Sequence, residues 1–139
     1  MNLVKYYAWA AVYPSAIVMI ATVIFTVIEN SGYKSEWLTE DSINSVILMT
    51  TFVYCIIISL LCTTIFLCGS VYVKNNPLLS FLSWFLLPVG FICFIFFHEI
   101  NAATEKEELI YIVILNIPFI LGLMLSYYHF RKAHLRPER

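Results

Sequence analysis

The chain has 139 residues, 61% hydrophobic and 12% charged, with a formal net charge of −1 and a mean hydropathy of +0.85. A soluble domain carries roughly a quarter charged residues. That composition excludes an ordinary soluble domain, and the long unbroken apolar runs argue against a barrel, whose strands are short and alternating.

Charge is absent from residues 6–28, 42–73, 75–97 and 109–130. Each run meets the roughly 20 residues that cross a bilayer core of about 30 Å. The expected fold is therefore an all-α membrane protein. A single domain, 1–139, holds four transmembrane helices in a bundle, with short loops and spans at about 3–29, 42–73, 77–98 and 105–131.

The first span follows Lys5 but is too long for a signal-peptide core, and no small-residue cleavage pattern follows Ile28. It is expected to be retained. Ala8, Ala11, Ser15, Thr22 and Thr26 share one helical face. Small residues let backbones approach closely, which is how helices pack in lipid. Pro14 removes one backbone bond and predicts a kink. In the acidic loop that follows, Trp37 and Leu38 are placed to dip into the interface. Thr39 is placed to cap the next helix, with Glu40 and Asp41 in its first turn.

The second helix, from about residue 40 to 73, would measure roughly 50 Å if fully α-helical. That exceeds the bilayer core, so it must tilt, break or project. Its small and polar stripe is Thr51, Cys55, Ser59, Cys62 and Gly69. Asn76 as N-cap and Pro77 at the first helical position start the third span. So short a turn makes spans two and three antiparallel neighbours. The third span places Ser80, Ser83 and Gly90 on one face, with Pro88 as a second kink. The fourth contains Asn116 and Pro118, and Gly122 and Ser126 form a small-xxx-small pair. No internal repeat is evident.

Orientation follows from the basic residues. Lys5, Lys74, Arg131, Lys132, Arg136 and Arg139 fall on one side and Lys34 and Lys106 on the other. Cytoplasmic loops collect Lys and Arg, so both termini are expected inside. With Glu138, the inner side carries +5. Eight acids against two lysines give the outer side −6, and together these make the net −1. Tyr6, Tyr7, Tyr72, Tyr127 and Tyr128 are expected at the inner headgroup level, where aromatic belts form.

The chemically loaded stretch is FFHEINAATEKEELIYIV, residues 96–113. His98-Glu99 lacks the second histidine of HExxH, which removes a zinc-protease helix. Thr104 and Glu107 fit a capping box. Glu105, Glu107 and Glu108 then fill a first helical turn, where negative charge stabilises by roughly 0.3–1 kcal/mol each. What this leaves is an acidic outer rim of Glu36, Glu40, Asp41, His98, Glu99, Glu105, Glu107 and Glu108, the place for a protein partner or an oxygen-ligated cation. Cys55, Cys62, Cys68 and Cys93 lie inside apolar runs and are expected to be buried and unpaired. His98 and His129 sit at opposite membrane edges, too far apart to share a haem. No ionisable residue lies deep in a span, as proton-coupled transporters and voltage sensors require. P-loop, G-x-S-x-G and kinase motifs are absent. No catalytic residue, metal site or cofactor is expected.

Asn116 is the polar residue deepest in lipid. With Gly122 and Ser126 it is expected either to pack helices together or to line a pore. The tail basics Arg131, Lys132, Arg136 and Arg139 mark topology and are placed to touch anionic headgroups.

In architecture the chain looks like some bacterial toxin-immunity proteins. It also looks like small membrane subunits of phage-defence systems, such as the membrane component of Kiwa. That likeness covers topology along the whole chain and rests on no motif. It implies a non-catalytic subunit of a defence or toxin-immunity module in the bacterial cytoplasmic membrane. Such a subunit acts through protein–protein contact, as a homo-oligomer or hetero-complex among membrane lipids, without binding nucleic acid directly. The alternatives are an oligomeric channel or membrane-perturbing effector, and an intramembrane enzyme or lipid- or cation-binding protein.

Overall fold

The computed structural model describes residues 2–29, 40–102 and 106–134, with side chains described for 2–28, 42–98 and 109–133. The described residues are helical throughout, apart from Asn2 and the turn positions Ser70 and Asn76. Four helical stretches are long and apolar enough to cross a membrane: Leu3–Ile28, Ser42–Gly69, Pro77–His98 and Leu109–Ala133. They are termed here the first to fourth spans. The architecture is compatible with a multi-pass membrane protein. Lys5, Lys74 and Lys132 fall at one end of the bundle, termed the basic end.

Local sequence explains the irregularities. The first span opens with the α-turns Leu3–Tyr7, passes through a π-helical turn at Ala8–Val12, and continues as the α-helix Tyr13–Glu29. Pro14 lies just beyond the π turn. In a regular helix its ring would collide with the carbonyl of Ala10. An extra residue in the preceding turn carries that carbonyl aside, so the expected disturbance takes the form of a π turn. Pro88 and Pro118, by contrast, sit inside the unbroken α-helices Pro77–Ala102 and Lys106–His134.

The second span is α-helical over Glu40–Leu61 and then winds as a 3₁₀-helix over Cys62–Gly69. Two adjacent threonines mark the change. The Thr63 hydroxyl donates to the Leu60 carbonyl at 2.6 Å and Thr64 to Leu61 at 3.0 Å. Thr50 and Thr51 back-bond in the regular α-helix of the same span, so these bonds accompany the change of winding rather than cause it. Residues three apart eclipse in a 3₁₀-helix, and Cys62, Ile65 and Cys68 are all fully buried as one row. The length conflict of this span ends at Ser70, whose ψ of 132° is extended, before the short helix Val71–Asn75. Asn76 caps the next helix as the sequence indicates. Its side-chain oxygen accepts from the Leu78 and Leu79 backbone N–H groups at 3.0 and 3.3 Å.

The small-residue stripes become seams with particular members excluded. On the first span Ala11, Thr22 and Thr26 are buried, and Ser15 is half-buried. On the second span Thr51, Cys55 and Cys62 are buried but Gly69 is exposed. Ser80 and Ser83 are buried while Gly90 is exposed, with nothing near a Cβ placed there. Cys93 corrects the expectation of four buried thiols. It lies on the exposed outer face of the bundle, and all four cysteines are free. The tyrosines divide as well. Tyr72 and Tyr128 are exposed, whereas Tyr6, Tyr7 and Tyr127 turn partly inward against the core.

Gly122 makes the tightest approach. A Cβ on it would meet Pro14 Cγ at 2.5 Å and the Trp9 carbonyl oxygen at 2.9 Å. Four residues on, the Ser126 hydroxyl donates to the Tyr6 carbonyl across the same seam at 2.7 Å. Gly122→Ala is expected to lower bundle stability by about 1–3 kcal/mol through overpacking. Gly90→Ala should cost nothing. Unfolding in mixed micelles, followed by circular dichroism, compares the two; equal effects would contradict the seam.

Candidate functional site

Three groups of sequence-indicated residues are placed differently. Asn116, Gly122 and Ser126 all lie in the packed interior of the bundle. The Asn116 side-chain oxygen accepts from the Tyr54 hydroxyl at 2.7 Å, and its nitrogen donates to the Ile112 carbonyl at 2.7 Å. One turn earlier on each helix, Thr51 and Tyr111 meet at 2.7 Å. The Thr51 proton is spent on the Ile47 carbonyl at 2.8 Å, so Tyr111 is the donor of that pair. Two hydroxyl–acceptor bridges thus join the second and fourth spans in lipid, where an unsatisfied polar group is costly.

Tyr54 also ties in the third span. Its ring stands 6.2 Å from Phe91 and 6.0 Å, edge-on, from Phe119. At the basic end, Trp84 and Phe130 are fully buried and their rings are 5.4 Å apart. Tyr6 closes on both, at 6.3 and 5.6 Å. Aromatics from the first, third and fourth spans therefore fill the bundle axis at that end. Trp84 Nε1 and Thr22 Oγ1 are buried polar atoms left without a partner.

Most of the acidic rim falls outside what the structure describes. Glu36 and Glu105 are not among the described residues, nor is Thr104 with its capping box. Glu40, Asp41, Glu99, Glu107 and Glu108 are described as backbone only. His98 is exposed, with its ring 6.4 Å from that of Phe94 one turn back. Among the described residues, no three His, Cys, Asp or Glu side chains gather where they could share a metal ion.

Of the basic tail, Arg131 and Lys132 continue the fourth helix, and Arg136 and Arg139 lie outside the described residues. Lys132 borders a pocket of about 470 Å³ between the first and fourth spans, with Lys5, Trp9, Ser126 and His129 among its walls.

Tyr54, Tyr111 and Trp84 are the structural residues that the sequence did not single out. Tyrosines in mid-span were the available signal, since a phenol hydroxyl in hydrocarbon needs a partner. Comparison of the chain with protein-family models, with curated proteins and with solved structures finds no match.

The Tyr54–Asn116 bond is expected to carry a coupling of about 0.6 kcal/mol, the average for such pairs in membranes. A double-mutant cycle of Tyr54→Phe and Asn116→Leu, read by unfolding in micelles, measures it. Strict additivity would mean that the bond contributes no stability.

Proposed function

We propose that the chain is a non-catalytic membrane subunit that works by binding another protein. Its setting would be the bacterial defence or toxin-immunity module that its topology resembles. The observation that supports this is how the spans use their polar groups. Asn116, Tyr54, Thr51, Tyr111 and Ser126 are spent on bonds that hold the bundle together. The axis at the basic end is filled by aromatics. Charged groups able to meet a partner are then found at the two ends: the outer acidic rim and the basic end.

The rim is the preferred docking surface in this reading, because the net negative charge expected of the outer side selects a basic partner and steers its approach. Neutralising Glu36, Glu40, Asp41, Glu99, Glu105, Glu107 and Glu108 to Gln or Asn is expected to cut capture of the partner at least tenfold. The assay is affinity purification in mild detergent from cells that carry the neighbouring genes. Capture of no specific protein, with and without toxin or phage challenge, would sink the proposal. Ion flux through liposomes holding the purified chain alone would point to a channel instead.

A further inference from the structure

The first and fourth spans are drawn together at Gly122, where a Cβ would collide with Pro14 and the Trp9 carbonyl. Two spaces open along this seam, and Pro14 and Gly122 are themselves walls of the second. Toward the basic end lies the pocket of about 470 Å³, whose lining includes Lys5, Trp9, Ser126, His129 and Lys132 and, among the described residues, no acid. Toward mid-membrane lies a groove of about 480 Å³ whose walls include Trp9, Pro14, Ile17, Ile117, Pro118 and Leu125. Trp9 lines both. The two spaces therefore adjoin, one charged and one apolar.

We propose that this composite cleft binds one anionic glycerophospholipid, with its phosphate against Lys5 and Lys132 and an acyl chain along the groove. Charge complementarity is the first reason. Two ammonium groups border the basic-end pocket, and no carboxylate stands among its walls in the described residues. The Ser126 hydroxyl is already committed to the Tyr6 carbonyl, and the lysines are the charged donors beside Tyr6, Trp9 and His129. Dimensions are the second. The groove walls run from Trp9 to Ile17 and from Ile117 to Leu125, which is about 12 Å of helix on each side. One leaflet of hydrocarbon is about 15 Å deep, so the groove follows a chain through most of one leaflet. Setting is the third. Basic residues mark the cytoplasmic side, whose leaflet carries anionic lipid that attracts Lys. A free phosphate would leave the apolar half unused. A choline headgroup would bring a third cation to the two lysines.

Trp9 reports on both halves. In a Trp37→Phe background, bromine on the acyl chains of phosphatidylglycerol should quench Trp9 emission at least threefold more strongly than brominated phosphatidylcholine at equal mole fraction. Trp84 is fully buried and supplies a steady background. The double variant Lys5→Gln/Lys132→Gln should bring the two lipids to parity while keeping the phosphatidylcholine quenching, which shows that the bundle is intact. Equal quenching in the parent protein would overturn the proposal. So would a phosphatidylglycerol preference that survives loss of both lysines. Release of the brominated phosphatidylglycerol by inorganic phosphate alone would assign the lysines to a free anion and overturn the lipid site.

Discussion

A methyl group at Gly122 would stand 2.5 Å from Pro14 Cγ and 2.9 Å from the Trp9 carbonyl. Lipid tails are as apolar as leucine, so burying side chains gives helices in a membrane little reason to associate. What remains is close packing and the hydrogen bonds it permits. Gly122 admits the first span to within backbone distance of the fourth, and the Ser126–Tyr6 bond forms only because it does. The π turn at Ala8–Val12 belongs to the same contact, since it resettles the backbone that carries Trp9 and precedes Pro14. A glycine, a proline and an irregular turn thus act together, and the position of the cleft along the seam is set by them.

The other seams use the same means with different atoms. The second and fourth spans are joined by Tyr54–Asn116 and Thr51–Tyr111. The second and third meet where Cys68 lies 3.1 Å from the Ser83 hydroxyl. Tyr7 donates from the first span to the Ser59 carbonyl of the second at 3.2 Å. Long aromatic side chains span distances that small residues cannot, and the rings of Tyr6, Trp84, Tyr127 and Phe130 meet near the axis at the basic end. Trp84 lies in that packing with its indole N–H unpartnered, so the apolar contacts there must outweigh one lost hydrogen bond, which costs roughly 1–3 kcal/mol.

The number of spans could be read from charge-free runs because charge in hydrocarbon is expensive and its absence over 20 residues is hard to mistake, whereas the end of the second span at Gly69, short of the charge-free limit at 73, could not. The Asn76 cap was legible for a similar reason: its chemistry is local. Stripes of small residues identified the seams but not their ends. Gly90 matches the spacing yet faces open space, and Gly69 is exposed at the edge of the seam beside Leu3, since spacing alone cannot say how far a packed face continues. Cys93 was misplaced for the same cause. In a membrane, an apolar residue is as content against lipid as in the core. The 3₁₀ segment was hidden because Thr63 and Thr64 are no different as residue types from Thr50 and Thr51, which back-bond within regular α-helix. The lysine pocket was half visible. Lys132 was read as part of a tail, but its pairing with Lys5, more than 120 residues away in sequence, belongs to the tertiary fold.

The row Cys62, Ile65, Cys68 has one more consequence. A 3₁₀-helix rises about 2.0 Å per residue against 1.5 Å in an α-helix. Over the eight residues of Cys62–Gly69, that adds about 4 Å to the second span without adding a residue. The same segment rewound as α-helix would shorten by that amount, with Ser70 as the joint that absorbs the rotation. The second span therefore covers about 4 Å more than the same residues would as α-helix, and the 3₁₀ winding is what sets Cys62, Ile65 and Cys68 in one buried row.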